Sequence, residues 1–437
     1  MNAVLIAVTL MLALSLSRIH VVISILVSAV VGGLCGGLTL TKTIAAFNGG
    51  LGGGAGIALS YALLGAFALA LAESGLPHAM ADGLTKLSQK TSNSQRVKWG
   101  ILLAVLAVSI SSQNLLPIHI AFIPLLIPPL LYTLAQYQLD RRALACVITF
   151  GLITPYMVFP VGFGEIFLKQ ILLGSIAKSG LDANQVNVMH AMALPALGMV
   201  VGLLVAVFVS YRKPRHYNIN ALKAVEREDI RYTPRSISVA IMAMVTTFIV
   251  QLLADSMLLG ALAGFAICVL GGAVPWRNAD SVFSEGMKMM AGIGLIMIAA
   301  SGFAEVLKAT GDVASLVEQS AGWIGNSKAL AAFLMLLVGL IVTLGIGSSF
   351  STVPILATIY VPLAMKLGFS PEAIVCLVGT AGALGDAGSP ASDSTLGPTA
   401  GLNIDGQHNH MWDTVVPTFL HYNLPLMAFG WVAVMIL

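Results

Sequence analysis

Charge is what this chain lacks most. Asp, Glu, Lys and Arg make up 9% of its 437 residues, against about 25% in a soluble domain. That shortage excludes an ordinary soluble globule. Cysteine is also rare: Cys35, Cys146, Cys268 and Cys376 all lie inside apolar runs and share no metal-ligand spacing. They read as small core residues, not as a disulfide framework or a zinc centre. The apolar segment from Asn2 to Ser17 has no basic stretch before it and no small-residue cleavage site after it. It reads as a retained span and not as a signal peptide. The net charge of +3 is spread among loops, so no nucleic-acid partner is expected.

What is present is apolar sequence, 57% of the chain, in segments long enough to span a bilayer. The expected fold is an all-α polytopic membrane protein. Its spans run Val4–Leu16 with flanks, Val21–Leu40, Gly54–Glu73, Ala143–Leu173 and Val188–Val209 in a first half (1–210). A basic linker, 211–235, carries seven Lys and Arg residues. The second half (236–437) repeats the order: Ser236–Ala254, Met257–Pro275, Gly286–Val306, Pro371–Thr395 and Val415–Leu437. Interfacial segments are expected at Gly75–Arg96 and Gly311–Ser327. Between span three and the broken span of each half lies a long apolar stretch with a polar middle, Val97–Leu134 and Ala329–Met365. Each is either a re-entrant hairpin or two spans.

The duplication is visible in the residues. At an offset of 236, Phe47, Gly50, Ala55, Gly56, Ile57, Leu59, Phe67, Ala68, Leu71 and Gly75 match Phe283, Gly286, Ala291, Gly292, Ile293, Leu295, Phe303, Ala304, Leu307 and Gly311. Those are ten identities over 29 ungapped positions, where about three follow from average composition. At 237, Ser111, Ser112, Pro117 and Ile118 match Ser348, Ser349, Pro354 and Ile355; at 230, Cys146 and Pro160 match Cys376 and Pro390. Five crossings per half invert the second half relative to the first. With the linker inside, 16 of the 22 Lys and Arg fall on the cytoplasmic side, as the positive-inside rule requires. Inverted repeats with paired broken helices are a pattern of secondary transporters.

Four polar breaks carry the candidate chemistry. Two are hairpin tips: Ser111, Ser112, Gln113 and Asn114 in the first half, and Ser348, Ser349 and Thr352 in the second. Two are unwound spans, Gly151–Glu165 with Thr154 and Glu165, and Gly379–Gly401 with Asp386, Ser389, Asp393, Ser394 and Thr395. Glycines and prolines at 382, 385, 388, 390, 397 and 398 make a continuous helix through the last implausible. That stretch is either a polar loop outside the bilayer or an unwound span that binds a ligand. Carboxylates at membrane depth mark ion or solute paths, which favours the second. Exposed helix ends offer amides to a carboxylate and carbonyls to a cation. Carboxylate, hydroxyl and carbonyl oxygens suit a hard cation such as Na⁺, with Asp386 and Asp393 as its possible metal ligands. Ser111, Ser112, Gln113, Asn114, Ser348, Ser349, Thr352, Ser389 and Asp393 are candidates for binding solute. Thr154, Glu165, Asp386, Asp393, Ser394 and Thr395 are candidates for coupling an ion. Glu73 and Glu305 could be interfacial, His119 and His421 hydrogen-bonded core residues, and Met287, Met289 and Met290 packing. His408 and His410 are expected on the surface.

The segment Gly385-Asp386-Ala387-Gly388-Ser389-Pro390-Ala391-Ser392-Asp393-Ser394-Thr395 resembles the GDxxSPxSD[ST]T motif of the NhaC-type Na⁺/H⁺ antiporters of the ion transporter superfamily. The ending HNHMWDTVVPTFLHYN resembles that of the family's amino-acid permease branch, the YuiF-like carriers. The resemblance covers essentially the whole chain. It implies a homodimer in the inner (plasma) membrane, a scaffold with a moving transport domain, and uptake of a small amino acid such as histidine. Coupling would be to Na⁺ or H⁺, with no other cofactor. The antiporters often carry His-Cys where this chain has Ala387-Gly388, which points away from simple Na⁺/H⁺ exchange. That exchange, or exchange of a carboxylate for Na⁺, is the alternative. An intramembrane aspartyl protease is more remote: it needs G-x-G-D, and Ala383 stands at the first glycine.

Overall fold

A computed structural model describes residues 2–17, 19–77, 79, 83, 94–114, 119–161, 163–183, 186–219, 221, 232–254, 256–312, 315 and 327–437. Pro117, Ile118, Gly162, most of the two interfacial segments and the centre of the linker lie outside these residues. Among the described residues the chain is helical without strands, and each half carries eight helices in the same order. The first half has α1 (Ala3–Leu16), α2 (Val21–Cys35), α3 (Leu40–Glu73), α4 (Ser94–Asn114), α5 (His119–Gln136), α6 (Arg141–Ile153), α7 (163–178) and α8 (Val188–Ser210). The second has α9 (Pro234–Ala254), α10 (Met257–Leu270), α11 (Ala279–Thr310), α12 (Lys328–Ile346), α13 (Ser349–Lys366), α14 (Pro371–Ala383), α15 (Asp393–Leu402) and α16 (His410–Ile436). Among the described residues seven helices, or eight if one bent pair counts as one span, are long and apolar enough to cross a membrane.

Helix ends repeat along with the helices. Gly75 after α3 and Gly311 after α11 both take the left-handed conformation, with φ of 78° and 72°. Gly37 and Gly272, just past α2 and α10, do the same at 81° and 78°. Only glycine adopts this backbone without strain, so these stops are written into the repeat. They also make α2 and α10 shorter than expected, at 15 and 14 residues, against the ~20 of a full span. Cys35 is exposed at one of these ends, unlike the other three cysteines, which are buried; all four are free thiols.

The counterparts α3 and α11 pack side by side and run antiparallel. Gly50 abuts Ser301 and Gly302, Gly54 abuts Met297 and Ile298, and Gly65 abuts Gly286. A Cβ on Gly294 would stand 3.2 Å from that of Ala58. Position 294 is the counterpart of position 58 in the repeat. With no side chains between them the two backbones approach closely, the usual device for helix contact in lipid. The helices α2 and α10 pack on this pair, α1 packs on α2 and α12, and α9 packs on α10, while α4 to α8 and α12 to α16 pack mainly among themselves.

Loop contacts sort the chain into two ends. At one, Asn2 donates to the Asp312 carbonyl, Lys328 bonds the Gly368 carbonyl, and Ser370 donates to the Leu437 carbonyl. At the other, Ser236 donates to the Ser74 carbonyl, Arg215 pairs with Asp413, and Arg141 pairs with Asp405. Both arms of each hairpin therefore start from one end: Lys328 meets Gly368, and Gln95 and Lys98 line a cavity with Gln138 and Asp140.

Candidate functional site

The stretch between α14 and α15 is unwound over residues 384–392. Leu384 is extended, and Gly385 turns left-handed with φ of 90°. A Cβ on Gly385 would lie 2.8 Å from the Leu344 amide nitrogen, so glycine is required there by both torsion and space. Asn423 on α16 accepts the freed Gly385 amide through Oδ1 at 2.9 Å. Ser389 donates to the Leu344 carbonyl at 3.0 Å, and Thr395 donates to the Ser389 carbonyl at 2.7 Å. Ser392 caps α15 by accepting the Ser394 amide. The bonds a helix would have supplied are thus replaced by side chains, as buried backbone requires.

Asp386 is buried at the middle of this break. Its Oδ1 accepts from Ser392 at 2.6 Å; its Oδ2 accepts from the Tyr156 phenol at 2.6 Å and from Ser349 at 3.2 Å. One carboxylate therefore ties the second-half break to the second hairpin tip and to the first-half break. Tyr156 is the counterpart of Asp386 at the 230 offset, so another repeat position meets its own partner. Asp393 opens α15, where the helix dipole favours negative charge. Its Oδ2 accepts from Tyr61 on α3 at 3.1 Å, and Ser394 lies 3.4 Å from Oδ1. Thr149 of α6 donates to the Ser394 carbonyl at 3.0 Å.

The first half is built otherwise. Among the described residues its break runs from Thr154 to Val161, narrower than the sequence suggested, because Gly151 still belongs to α6 and Glu165 to α7. Ser111 and Ser112 donate back to Ala107 and Ser109 of their own helix, and the Asn114 amide donates to Ile110. Gln113 Oε1, Asn114 Oδ1 and Thr154 Oγ1 are buried and have no partner among the described residues. In the second tip Thr352 donates to the Ser348 carbonyl at 2.8 Å. Glu165 is not brought to the carboxylates: it is half exposed and pairs with Lys169 at 2.9 Å. Among the described residues no three His, Cys, Asp or Glu side chains gather as a metal centre. The oxygen-rich set fits a hard alkali cation or a proton.

A model of the Na⁺/H⁺ antiporter family matches residues 147–431, and a second Na⁺/H⁺ antiporter model matches residues 2–88. The chain belongs to the Na⁺/H⁺ antiporter family. It is 56% identical over 443 residues to an uncharacterized membrane protein of Vibrio parahaemolyticus, covering 100% of both chains. It is 51% identical over 446 residues to YuiF of Bacillus subtilis, again over 100% of both, a protein whose name assigns it provisionally to amino acid transport. The structure of Neisseria gonorrhoeae MtrF, described with a class of antimetabolite efflux pumps, covers 90% of this chain and 84% of its own at 17% identity, with a TM-score of 0.43. This antiporter-family chain is a multi-pass membrane protein and a secondary transporter, not an enzyme, which removes the protease reading of the aspartates.

Three residues of this candidate site escaped the sequence reading. Tyr61 and Tyr156 look like ordinary aromatics in apolar runs, although the offset of 230 pairs Tyr156 with Asp386. Asn423 sits in the HYN ending and carried no signal of its own. The surface expected for His408 and His410 is corrected: His408 is 1% exposed, and the His410 ring bonds Thr399 and Pro390. His421 is a hydrogen-bonded core residue, held by the Pro417 carbonyl and Ser210. Glu305 pairs with Lys308 near the end of α11, and the His119 side chain lies outside what is described.

Proposed function

We propose that this transporter takes up a small amino acid, such as histidine, across the inner (plasma) membrane, coupled to Na⁺ or H⁺. The observation that carries the reading is the contrast at the four breaks. Asp386 accepts from three hydroxyl donors, whereas Gln113, Asn114 and Thr154 hold buried oxygens without partners among the described residues. An unsatisfied buried oxygen costs about 1–3 kcal/mol. Three of them, on the tip and break of one half, are supported when a cation or a solute ammonium fills them. The solute carboxylate would take the amides opened at the breaks, and Asp393 would supply charge. The name carried by YuiF supports an amino acid. Simple Na⁺/H⁺ exchange is the competing reading, favoured by the family description. Counterflow of labelled amino acids in proteoliposomes, with Na⁺ and pH varied, separates the two. Absence of any amino-acid exchange under all these conditions would overturn the uptake reading.

The halves are then inverted repeats, 1–210 and 236–437 around a cytoplasmic 211–235 linker. The antiparallel α3–α11 pair, meeting near Ala58 and Gly294, supports this relation. Each hairpin is re-entrant, since its tip reaches a break rather than the far face. The helices α1 to α3 and α9 to α11 form the scaffold and a dimer contact. The helices α4 to α7 and α12 to α15, joined by α8 and α16, move as an elevator. Tyr61 to Asp393 is a bond between the two groups. A cross-link between α2 and the 384–392 break should stop transport yet leave binding measurable; transport through such a lock would refute the motion.

A further inference from the structure

At the linker-side end a cavity of about 390 Å³ opens between α4, α6, α8 and the start of the linker. Lys98 of α4 and Arg212 and Lys213 of the linker bring three positive charges to its wall, and Asp140 brings one negative charge. Asp140 is already committed: Arg142 bonds it through Nε at 3.1 Å and Nη2 at 2.7 Å, and Arg215 lies 3.7 Å away. Among the described residues the side chains of Lys98, Arg212 and Lys213 enter no ion pair or hydrogen bond. The cavity therefore carries positive charge with no counter-charge of its own, and its field favours an anion.

What lies beside the cavity says which anion. Trp99 of α4 stacks on Phe208 of α8 at its wall, with ring centroids 4.7 Å apart. Four residues deeper along each helix, and so on the same faces, stand Leu103 and Leu204. They are 63% and 48% exposed, and Phe208 is 51% exposed. An uncovered apolar seam thus runs on from the charged cavity. A free phosphate or a small carboxylate would use the cations and leave the seam bare. A phospholipid uses both, its phosphate among the charges and an acyl chain along the leucines. Tryptophan at this level marks the boundary between headgroups and hydrocarbon, and basic pockets between spans bind anionic headgroups. A zwitterionic lipid brings its own ammonium, which three cations repel, so a net negative headgroup is selected.

We propose that this cavity is a binding site for an anionic phospholipid, with the phosphodiester held by Lys98, Arg212 and Lys213 and an acyl chain lying along Leu103 and Leu204. The bound lipid joins the first arm of the first hairpin to α8 and the linker. The helices α4 and α8 have few other contacts with each other, so the lipid acts as a filler between them. The site involves neither the solute nor the coupling ion proposed above, and it stands or falls separately from them.

The test uses the full chain in nanodiscs of phosphatidylcholine doped with phosphatidylglycerol whose acyl chains are brominated, a quencher of nearby tryptophan. The part of the fluorescence lost in Trp99→Phe reports on this cavity. Quenching of that part should be half-maximal at a lower fraction of brominated phosphatidylglycerol than of brominated phosphatidylcholine; equal fractions in the wild type overturn the proposal. Lys98→Gln, Arg212→Gln and Lys213→Gln should each raise the phosphatidylglycerol fraction about fivefold, the scale of one basic residue at an anionic surface. None of the three should change the phosphatidylcholine value. Arg235→Gln removes a charge from the same end of the molecule but outside the cavity, and should leave both values as they are. A shift from Arg235→Gln as large as from the cavity variants means attraction to the whole face and overturns the site. Inorganic phosphate, added at constant ionic strength, should not relieve the quenching. Relief by phosphate makes the occupant a free anion, and the lipid proposal falls.

Discussion

The two unwound spans, which match at an offset of 230 residues, differ in how their oxygens are bonded. Those of the second are paired; among the described residues, three at the first and its hairpin tip are not. Around 384–392 the carboxylate and the serine and threonine hydroxyls have partners, the Asn423 Nδ2 being buried without one among the described residues, and Asp386 alone accepts three hydroxyls from three parts of the chain. Around Thr154 and the 111–114 tip, among the described residues, there is no carboxylate in the cluster and three buried oxygens have no partner. The lesson is a division of labour. A buried carboxylate must be fully hydrogen-bonded to be tolerated, so it serves best as a pin that holds the broken elements in register. Neutral oxygens cost less to leave open, and so they suit contacts that form and dissolve in each transport cycle.

Breaking the pin should have the largest effect. Asp386→Asn keeps the volume but gives up charged acceptors, at a cost of about 3 kcal/mol, roughly 100-fold in any equilibrium it supports. Uptake of labelled amino acid in cells should be lost and the thermal unfolding temperature of the purified protein lowered. Wild-type stability in this variant would mean that the saturated side is not structural.

The open side should respond differently. Thr154→Val or Gln113→Leu removes an oxygen that has no partner among the described residues, so stability should hold or rise slightly. The concentration of ion or solute giving half-maximal transport should rise about tenfold, the equivalent of 1.4 kcal/mol. A stability loss with unchanged half-saturation would reverse the proposed roles of the two breaks. The smallest effect is expected from Glu165→Gln. Its pair with Lys169 is half exposed, and such pairs contribute about 0–1 kcal/mol, so transport kinetics should change by less than about twofold. A large loss would place Glu165 in the cycle despite its distance from the carboxylate cluster in sequence-repeat terms.

Much of this was legible before any coordinates. The break at Gly379–Gly401 announced itself because glycine, proline and aspartate are conspicuous in so apolar a chain. The duplication was visible in Phe47 to Gly75 against Phe283 to Gly311, though not that the two matched helices pack against each other. What stayed hidden were contacts made only by tertiary structure. The phenols of Tyr61 and Tyr156 carry no local pattern that separates a carboxylate partner from a packed ring. Glu165 drew attention as a charge in an apolar run, but helix α7 begins before it and turns it outward. His408 and His410 misled for the opposite reason: a polar segment of Asn, Asp, Gly and Gln looks like surface, yet its side chains bond inward to Thr399 and Thr414.

The meeting of Tyr156 with Asp386 has a consequence for what a duplicated chain can build. In the inverted-repeat reading proposed above, a residue near the axis that relates the two halves faces its own counterpart. Were the halves identical, like would face like: phenol against phenol, or carboxylate against carboxylate, the latter repelling. A donor opposite an acceptor at that point is open only to halves whose sequences have parted. Asymmetry between the copies is therefore what allows a single charge to be placed, and bonded, on the line that relates them.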